Sequence, residues 1–136
     1  MNILVMDGQG GQLGAQLVKE IVSRFRDVEI TAVGTNATAT ATMLKAGAKQ
    51  AATGENPVIV ACRKADVIIG PIGIVIADAM YGEITPKMAV AVGQADATRI
   101  LIPMNRCENV IVGVDEVTVA TMVEGVLKKL DKILKS

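Results

Sequence analysis

Residues 2–14 read NILVMDGQGGQLG. The run Asn2 to Met6 stops at Asp7-Gly8, as a central strand buried on both faces would. From Gly11 to Phe25 the pattern turns helical. Leu13, Leu17, Ile21 and Phe25 recur every four residues, with Val18 and Val22 beside them and Lys19, Glu20 and Arg24 outside. A buried strand, a glycine turn and an amphipathic helix together predict the opening of a β–α–β unit. The rest of the chain repeats that alternation.

Val28 to Val33 is read as a second strand. The following Ala/Thr stretch, 37–42, is read as a helix: Asn36 is a good N-cap, alanine is the best helix former and Gly47 stands at the stop. Its alanines would let it lie close on a sheet or a second copy. Ala48 to Ala52 is a weak third strand, and Asn56-Pro57 is read as a cap followed by proline at the first helical position, opening a helix to about Lys64. Val67 to Ile69 is a fourth strand, ended by Gly70-Pro71. Ile74 to Met80 reads as a short helix, and Thr85-Pro86 opens another towards Val92. Arg99 to Ile102 and Val110 to Val114 are a fifth and a sixth strand. From about Thr118 the tail is amphipathic, with Val119, Met122, Val123, Val126, Leu127, Leu130, Ile133 and Leu134 in one stripe. The expected fold is α/β: one three-layer, doubly wound, mostly parallel sheet of about six strands over residues 1–136, in Rossmann-like order 3-2-1-4-5-6.

Composition narrows the chemistry. The 136 residues carry 14 basic and 14 acidic side chains, no His, no Trp, one Tyr, one Phe and two Cys. Without histidine there is no Ser-His-Asp triad, no Cys-His pair and no imidazole metal ligand. Two isolated cysteines make neither a zinc cluster nor a disulfide framework, so no metal is expected. Balanced charge and two aromatics argue against a nucleic-acid partner. The apolar stretch Val67 to Ala77 holds Gly70, Pro71 and Gly73 between Asp66 and Asp78. It is too short and too broken to span a membrane. The first residues lack the basic region of a secretory leader, and the expected location is the cytoplasm.

The turn Asp7-Gly8-Gln9-Gly10-Gly11-Gln12-Leu13-Gly14 is the concentrated feature. Glycines at a strand-to-helix turn let the backbone approach an anion, and the helix start offers free N–H groups to a phosphate. G-x-G-x-x-G fails, because position 13 is Leu. G-x-x-G-x-x-G fits Gly8, Gly11 and Gly14, which resembles the loop of extended short-chain dehydrogenase/reductases, with Asp7 in place of their usual Thr. That resemblance implies a nucleotide or NAD(P) as cofactor. Against it, the carboxyl end of the second strand reads Gly34-Thr35-Asn36, where a ribose-binding acid should stand. The Tyr-x-x-x-Lys pair of those enzymes is absent as well, since Tyr81 is followed by Thr85 at the lysine spacing. The competing reading of the loop is a tight β–α turn without a ligand.

Ligands of doubly wound sheets sit beyond the carboxyl ends of the strands. There the chain is expected to place Gly8, Gln9, Gly10, Gly11, Gln12 and Leu13, then Thr35 and Asn36, then Thr53 to Asn56. A second glycine loop, Gly70, Pro71, Ile72 and Gly73, would face the first, and Asn105 and Arg106 would follow the fifth strand. Asn36 and Asn56 are read as caps before anything else. Arg106 beside Cys107 would lower that thiol's pKa, but no general base accompanies it. Asp7 resembles the nucleophile of haloacid-dehalogenase-type phosphatases in its place after the first strand, yet its partner two residues on is Gln9 rather than Asp. Asp78 and Glu83 flank Tyr81 in ADAMYGEIT and would suit acid/base groups, but are read first as a solvated helix end.

A longer match runs through MDGQGGQLG, VGTNATATATMLKAGA, ATGENPVIV, ADVIIGPIGIVIADAMYGEIT and ILIPMNRCENVIVGV. This series resembles a family of short bacterial proteins of uncharacterised function with a Rossmann-like fold, from Met1 to Val114, and implies no activity. Three readings stand at this point. The first is a nucleotide- or dinucleotide-binding module, a sensor or a subunit, that takes a small phosphate-bearing ligand and works as a homo-oligomer, a dimer first. The second is a small enzyme, an NAD(P)-dependent reductase or an Asp7-based phosphoryl-transfer enzyme. The third is a structural or interaction protein whose loops are only turns.

Overall fold

The computed structural model describes residues 1–104, 108–114 and 118–136. In chain order it runs β1 (Asn2–Asp7), α1 (Gln12–Arg24), β2 (Glu29–Gly34), α2 (Ala37–Lys45), β3 (Gln50–Thr53), α3 (Glu55–Lys64) and β4 (Val67–Pro71). A single 3-10 turn (Ile72–Val75), α4 (Pro86–Gln94), β5 (Thr98–Ile102) and α5 (Val119–Lys135) follow. All strand pairs are parallel, in the order β3-β2-β1-β4-β5. This is the expected three-layer doubly wound arrangement.

Alternation along β1 sorts the core into two halves. Ile3 and Val5 face α1, α2 and α5, packing on Leu17, Ile21, Met43, Val126 and Leu130. Leu4 and Met6 face the α3 and α4 side, with Val58, Ile84, Met88 and Val92. Being covered on both faces is why β1 and β4 read as unbroken apolar runs. Among the described residues, no helix is long and apolar enough to cross a membrane.

The Ala/Thr stretch is a helix, α2, and Asn36 caps it by accepting from the Ala39 amide at 2.8 Å. Its small inner face lies on α1: a Cβ on Gly11 would come within 2.7 Å of the Ala39 backbone, and one on Gly14 within 2.5 Å of Met43 Sδ. The close approach foreseen from the alanines is made within the chain, to α1 and also to the sheet, where a Cβ on Gly34 would stand 2.6 Å from the Thr40 amide nitrogen.

Several expectations are corrected. Val110 to Val114 is not a strand. Val110 and Val112 are 88% and 95% exposed, and Gly113 turns the chain at φ 87°. An apolar β-branched pattern cannot say whether a sheet edge lies within reach, and among the described residues the sheet ends at β5. Asn56 does not cap α3, whose N-cap is Gly54; Glu55 opens the helix, and Asn56 and Pro57 fall inside its first turn. The helix expected over Ile74 to Met80 is the 3-10 turn at Ile72–Val75 followed by irregular turns. Gly70 and Pro71 continue β4 instead of ending it. Val22 lies on the solvent side of α1, 46% exposed.

Candidate functional site

Because every strand runs the same way, the connections after β1, β2 and β4 meet at one edge of the sheet. Asp7 closes β1 with its side chain 2% exposed. Its Oδ1 accepts from the Gly8 amide at 2.8 Å and its Oδ2 from the Gly14 amide at 2.7 Å. Gly14 is the third residue of α1, and the N-cap, Gly11 at φ 74°, has no side chain to serve it. Asp7 thus acts as the cap from the preceding strand, where a carboxylate also suits the positive end of the helix. Burial pushes the Asp7 carboxyl up. The bonds from Gly14 and Gly8 pull it back, nearby Glu83 pushes it up again, and the balance lies above the ordinary aspartate range.

Gln9, Gly10 and Gln12 form the open part of the loop. Gln9 is left-handed at φ 52°. The Gly11 amide turns back to the Gly8 carbonyl at 3.0 Å. Among the described residues the amides of Gly10, Gln12 and Leu13 have no partner, as expected at the start of a helix. Gly8, Gly11 and Gly14 are each required by the chain's own packing: a Cβ on Gly8 would stand 2.6 Å from Met80 Sδ and from Thr35 Oγ1. Gly10 differs, since a Cβ there would meet only Gln12 Cγ, at 3.9 Å.

The second loop is joined to the first by a residue that the sequence reading set aside. Glu83 Oε1 accepts from the Gln9 amide at 3.1 Å, from Asn36 Nδ2 at 2.9 Å and from the Thr35 hydroxyl in a short bond. Asn36 also donates to the Gln9 carbonyl at 2.8 Å, so one side chain caps α2 and clips the glycine loop. Burial alone would raise the Glu83 carboxyl. The bonds from Thr35, Gln9 and Asn36 outweigh it and hold the group below the ordinary glutamate range. Glu83 is thus a rim residue and not a solvated helix end.

It is delivered by an unusual stretch. Asp78, Met80 and Tyr81 are left-handed at φ 67°, 59° and 57°, and Gly82 follows at φ 84°. Such conformations cost non-glycine residues about 1–3 kcal/mol each and persist where surrounding structure over-determines them. Here Met80 is buried against Gly8, the Asp78 amide reaches the Ile84 carbonyl at 2.7 Å, and Tyr81 is left fully exposed. The only sequence signal was the acids of ADAMYGEIT after an apolar run, which read as a solvated helix end.

The structure therefore brings Gly8, Gln9, Thr35 and Asn36 together, with Gly10, Gln12 and Leu13 at the adjoining helix start. It does not present Gly70, Pro71 and Gly73 as an open loop. All three are buried, and a Cβ on Gly70 would collide with the Met6 carbonyl. Ile72 is half-buried in the 3-10 turn. Asn105, Arg106 and Cys107 lie outside the described residues. Met104, just before them, lines a cleft with Gln12, Leu13, Gln16 and Lys19. Cys62 packs inside α3, and burial pushes its thiol up to about 11. Among the described residues, no three His, Cys, Asp or Glu side chains gather as a metal site.

Compared with known families, residues 2–135 match the model of a domain of unknown function, DUF3842. No curated protein matches. Among solved structures, the chain is similar to a dodecameric FMN-dependent UbiX-like decarboxylase from Escherichia coli O157:H7. The two share 15% identity and a TM-score of 0.49, over 95% of this chain and 94% of that one.

Proposed function

The chain belongs to the DUF3842 family, a domain of unknown function, and we propose that it is a nucleotide-binding module whose ligand lies along the rim formed by the β1–α1 and β2–α2 connections. One observation carries this. Of the four glycines in the loop, three are demanded by internal contacts, while a Cβ on Gly10 would meet only Gln12 Cγ, and its own amide and those of Gln12 and Leu13 have no partner among the described residues. A phosphate there would accept from Gly10, Gln12 and Leu13 and complement the start of a 13-residue helix. The exposed Gln9 and Gln12 side chains would supply neutral donors and acceptors to the remainder of the ligand.

Phosphoryl transfer from Asp7 is the weaker alternative. Both of its oxygens are engaged by backbone amides and the group is buried, which leaves no face for an incoming phosphoryl group. Asp7 serves the loop's shape instead.

Thermal shift against mono- and dinucleotides, with inorganic phosphate as control, tests the proposal. A ligand at 100 times its dissociation constant stabilises by about 2.7 kcal/mol, which is readily seen. Gly10→Ala should keep the melting temperature of the free protein and lose the ligand-induced shift, because the added methyl obstructs only the ligand's approach. No shift with any nucleotide, together with an empty protein by native mass spectrometry, would sink it.

A further inference from the structure

The sequence objection to a nucleotide was the end of β2, where Thr35-Asn36 follow and no acid stands to hold a ribose. In the folded chain an acid is there nonetheless. Glu83 comes from the β4–α4 connection and places its carboxylate against both of those residues, hydrogen-bonded to the Thr35 hydroxyl and to Asn36 Nδ2. We propose that Glu83 is the ribose-recognition residue of this rim: Oε2 accepts from the 2′- and 3′-hydroxyls of a ribonucleotide, in place of an acid on β2. This rests on the nucleotide reading above and adds the class of ligand, one with a free cis-diol.

The division of labour between the two oxygens supports it. Oε1 takes three donors, from Gln9, Thr35 and Asn36, which pins the carboxylate in position and orientation. Oε2 receives no hydrogen bond from the described residues, and Glu83 is only half-buried. A single strut tying two loops together would need one oxygen, and the second is left open as an acceptor. A carboxylate that already has its donors on one side is pre-ordered for a diol and loses little freedom on binding. Ionisation at neutral pH follows from those same bonds, so the acceptor is charged, the stronger kind. Gln9, whose amide holds Oε1, directly precedes Gly10. The diol acceptor and the phosphate-facing amides are therefore parts of one loop, as the ribose and phosphate are parts of one nucleotide. The left-handed run Asp78, Met80, Tyr81 and Gly82 is what turns Glu83 over the end of β1 towards β2. A negative charge at this point would also repel a 2′-phosphate, which predicts NAD over NADP.

The test compares ligands that differ only at the diol. Binding of ATP against 2′,3′-dideoxy-ATP, and of NAD against NADP, is measured by calorimetry on the wild type and on Glu83→Gln. The amide oxygen of Gln can still accept from Gln9, Thr35 and Asn36, so the loop is retained while the charge is removed. The wild type should prefer the free diol by roughly 10- to 100-fold, the usual worth of hydrogen bonds to a charged group. In Glu83→Gln that preference should collapse towards unity, with the dideoxy affinity unchanged. Equal wild-type binding of both members of each pair overturns the role of Glu83 and leaves the nucleotide reading standing, and this comparison needs no variant to fold. A Glu83→Gln protein that loses both members equally shows a purely structural strut. One that binds both more tightly shows a displaceable internal anion. Either result overturns the proposal, and absence of any nucleotide binding overturns both readings together.

Discussion

Asp7 and Glu83 are carboxylates at the same edge of the sheet, yet their surroundings move them in opposite directions. Asp7 is raised, first by burial, so its contribution to stability is full when it is protonated and is lost as pH rises through its elevated value. Glu83 is lowered on balance by its hydrogen bonds, so its contribution is present above the ordinary glutamate range and is lost on acidification. Urea unfolding across a pH series should separate them. The stability gap between wild type and Asp7→Asn should widen as pH falls from 7 through the carboxylate range, and the gap to Glu83→Gln should narrow. At neutral pH Asp7→Asn should cost about 1–3 kcal/mol, because its amide nitrogen must face a backbone N–H where an oxygen accepted. A gap that moves the other way in either variant would show that the cause assigned to its shift is wrong. Cys62 is the third residue with a displaced titration. With its thiol pushed up to about 11 and packed inside α3, it should resist iodoacetamide in the folded protein and react on unfolding, as peptide mapping would show. Of these three, the sequence marked Asp7 for its place after the first strand without foreseeing its bonds to the Gly8 and Gly14 amides, read Cys62 correctly as packing and set Glu83 aside as a solvated helix end. Its loop carries no periodic pattern, and the partners of its carboxylate lie 47 to 74 positions away in the chain.

At the scale of elements, the two asparagines read as caps are a matched pair with different fates. Asn36 does cap α2 and also holds Gln9 and Glu83, so Asn36→Ala should destabilise by about 1 kcal/mol or more. Asn56 lies within α3, whose cap is Gly54, so Asn56→Ala should fall within about 0.5 kcal/mol of wild type. Thermal or chemical denaturation of the two variants side by side checks both. An equal loss would mean that Asn56 caps the helix after all. Local chemistry selects a cap only when the residue has extended backbone just before the helix. Asn36 has it, at φ −145° and ψ 164°, whereas α3 starts one residue before Asn56. The glycines of α1 divide in the same way. Gly14→Ala should gain helix propensity of about 1 kcal/mol, yet the new methyl meets Met43 Sδ at 2.5 Å and Asp7 Cβ at 2.9 Å. Overpacking of about 1–3 kcal/mol should therefore dominate and lower the melting temperature. A glycine reads the same in sequence whether its missing side chain makes room for a packed neighbour or faces open space. Only the neighbours distinguish Gly14 from Gly10.

For the molecule as a whole, the C-terminal helix was legible as an amphipathic stripe, and its destination is one half of the core. Val123, Val126, Leu127 and Leu130 are buried against the face that also holds Ile3, Ile69 and Ile100. A chain ending at residue 117 should consequently expose that face and aggregate, as size-exclusion chromatography would show. A soluble monomer from that truncation would mean that α5 is an oligomer contact instead. The sequence by itself determined the alternation of buried strands and amphipathic helices, the parallel sheet this implies and the strand order from β3 to β5, because hydrophobic periodicity and short connections are local and admit few topologies. It also determined the glycine loop after β1, the cap at Asn36 and the helix starts near Thr85 and Thr118, where the structure shows both threonines capping. Only the tertiary structure decided that the sheet stops at β5 among the described residues, that the glycines at 70 and 73 are core, and that an acid reaches the end of β2. Those facts depend on β4 lying beside β1, so that its connection crosses the β1 loop and brings Glu83 to Thr35 and Asn36. A carboxylate's partners across parallel strands are set by which strands are neighbours in space, and no local pattern of residues records that.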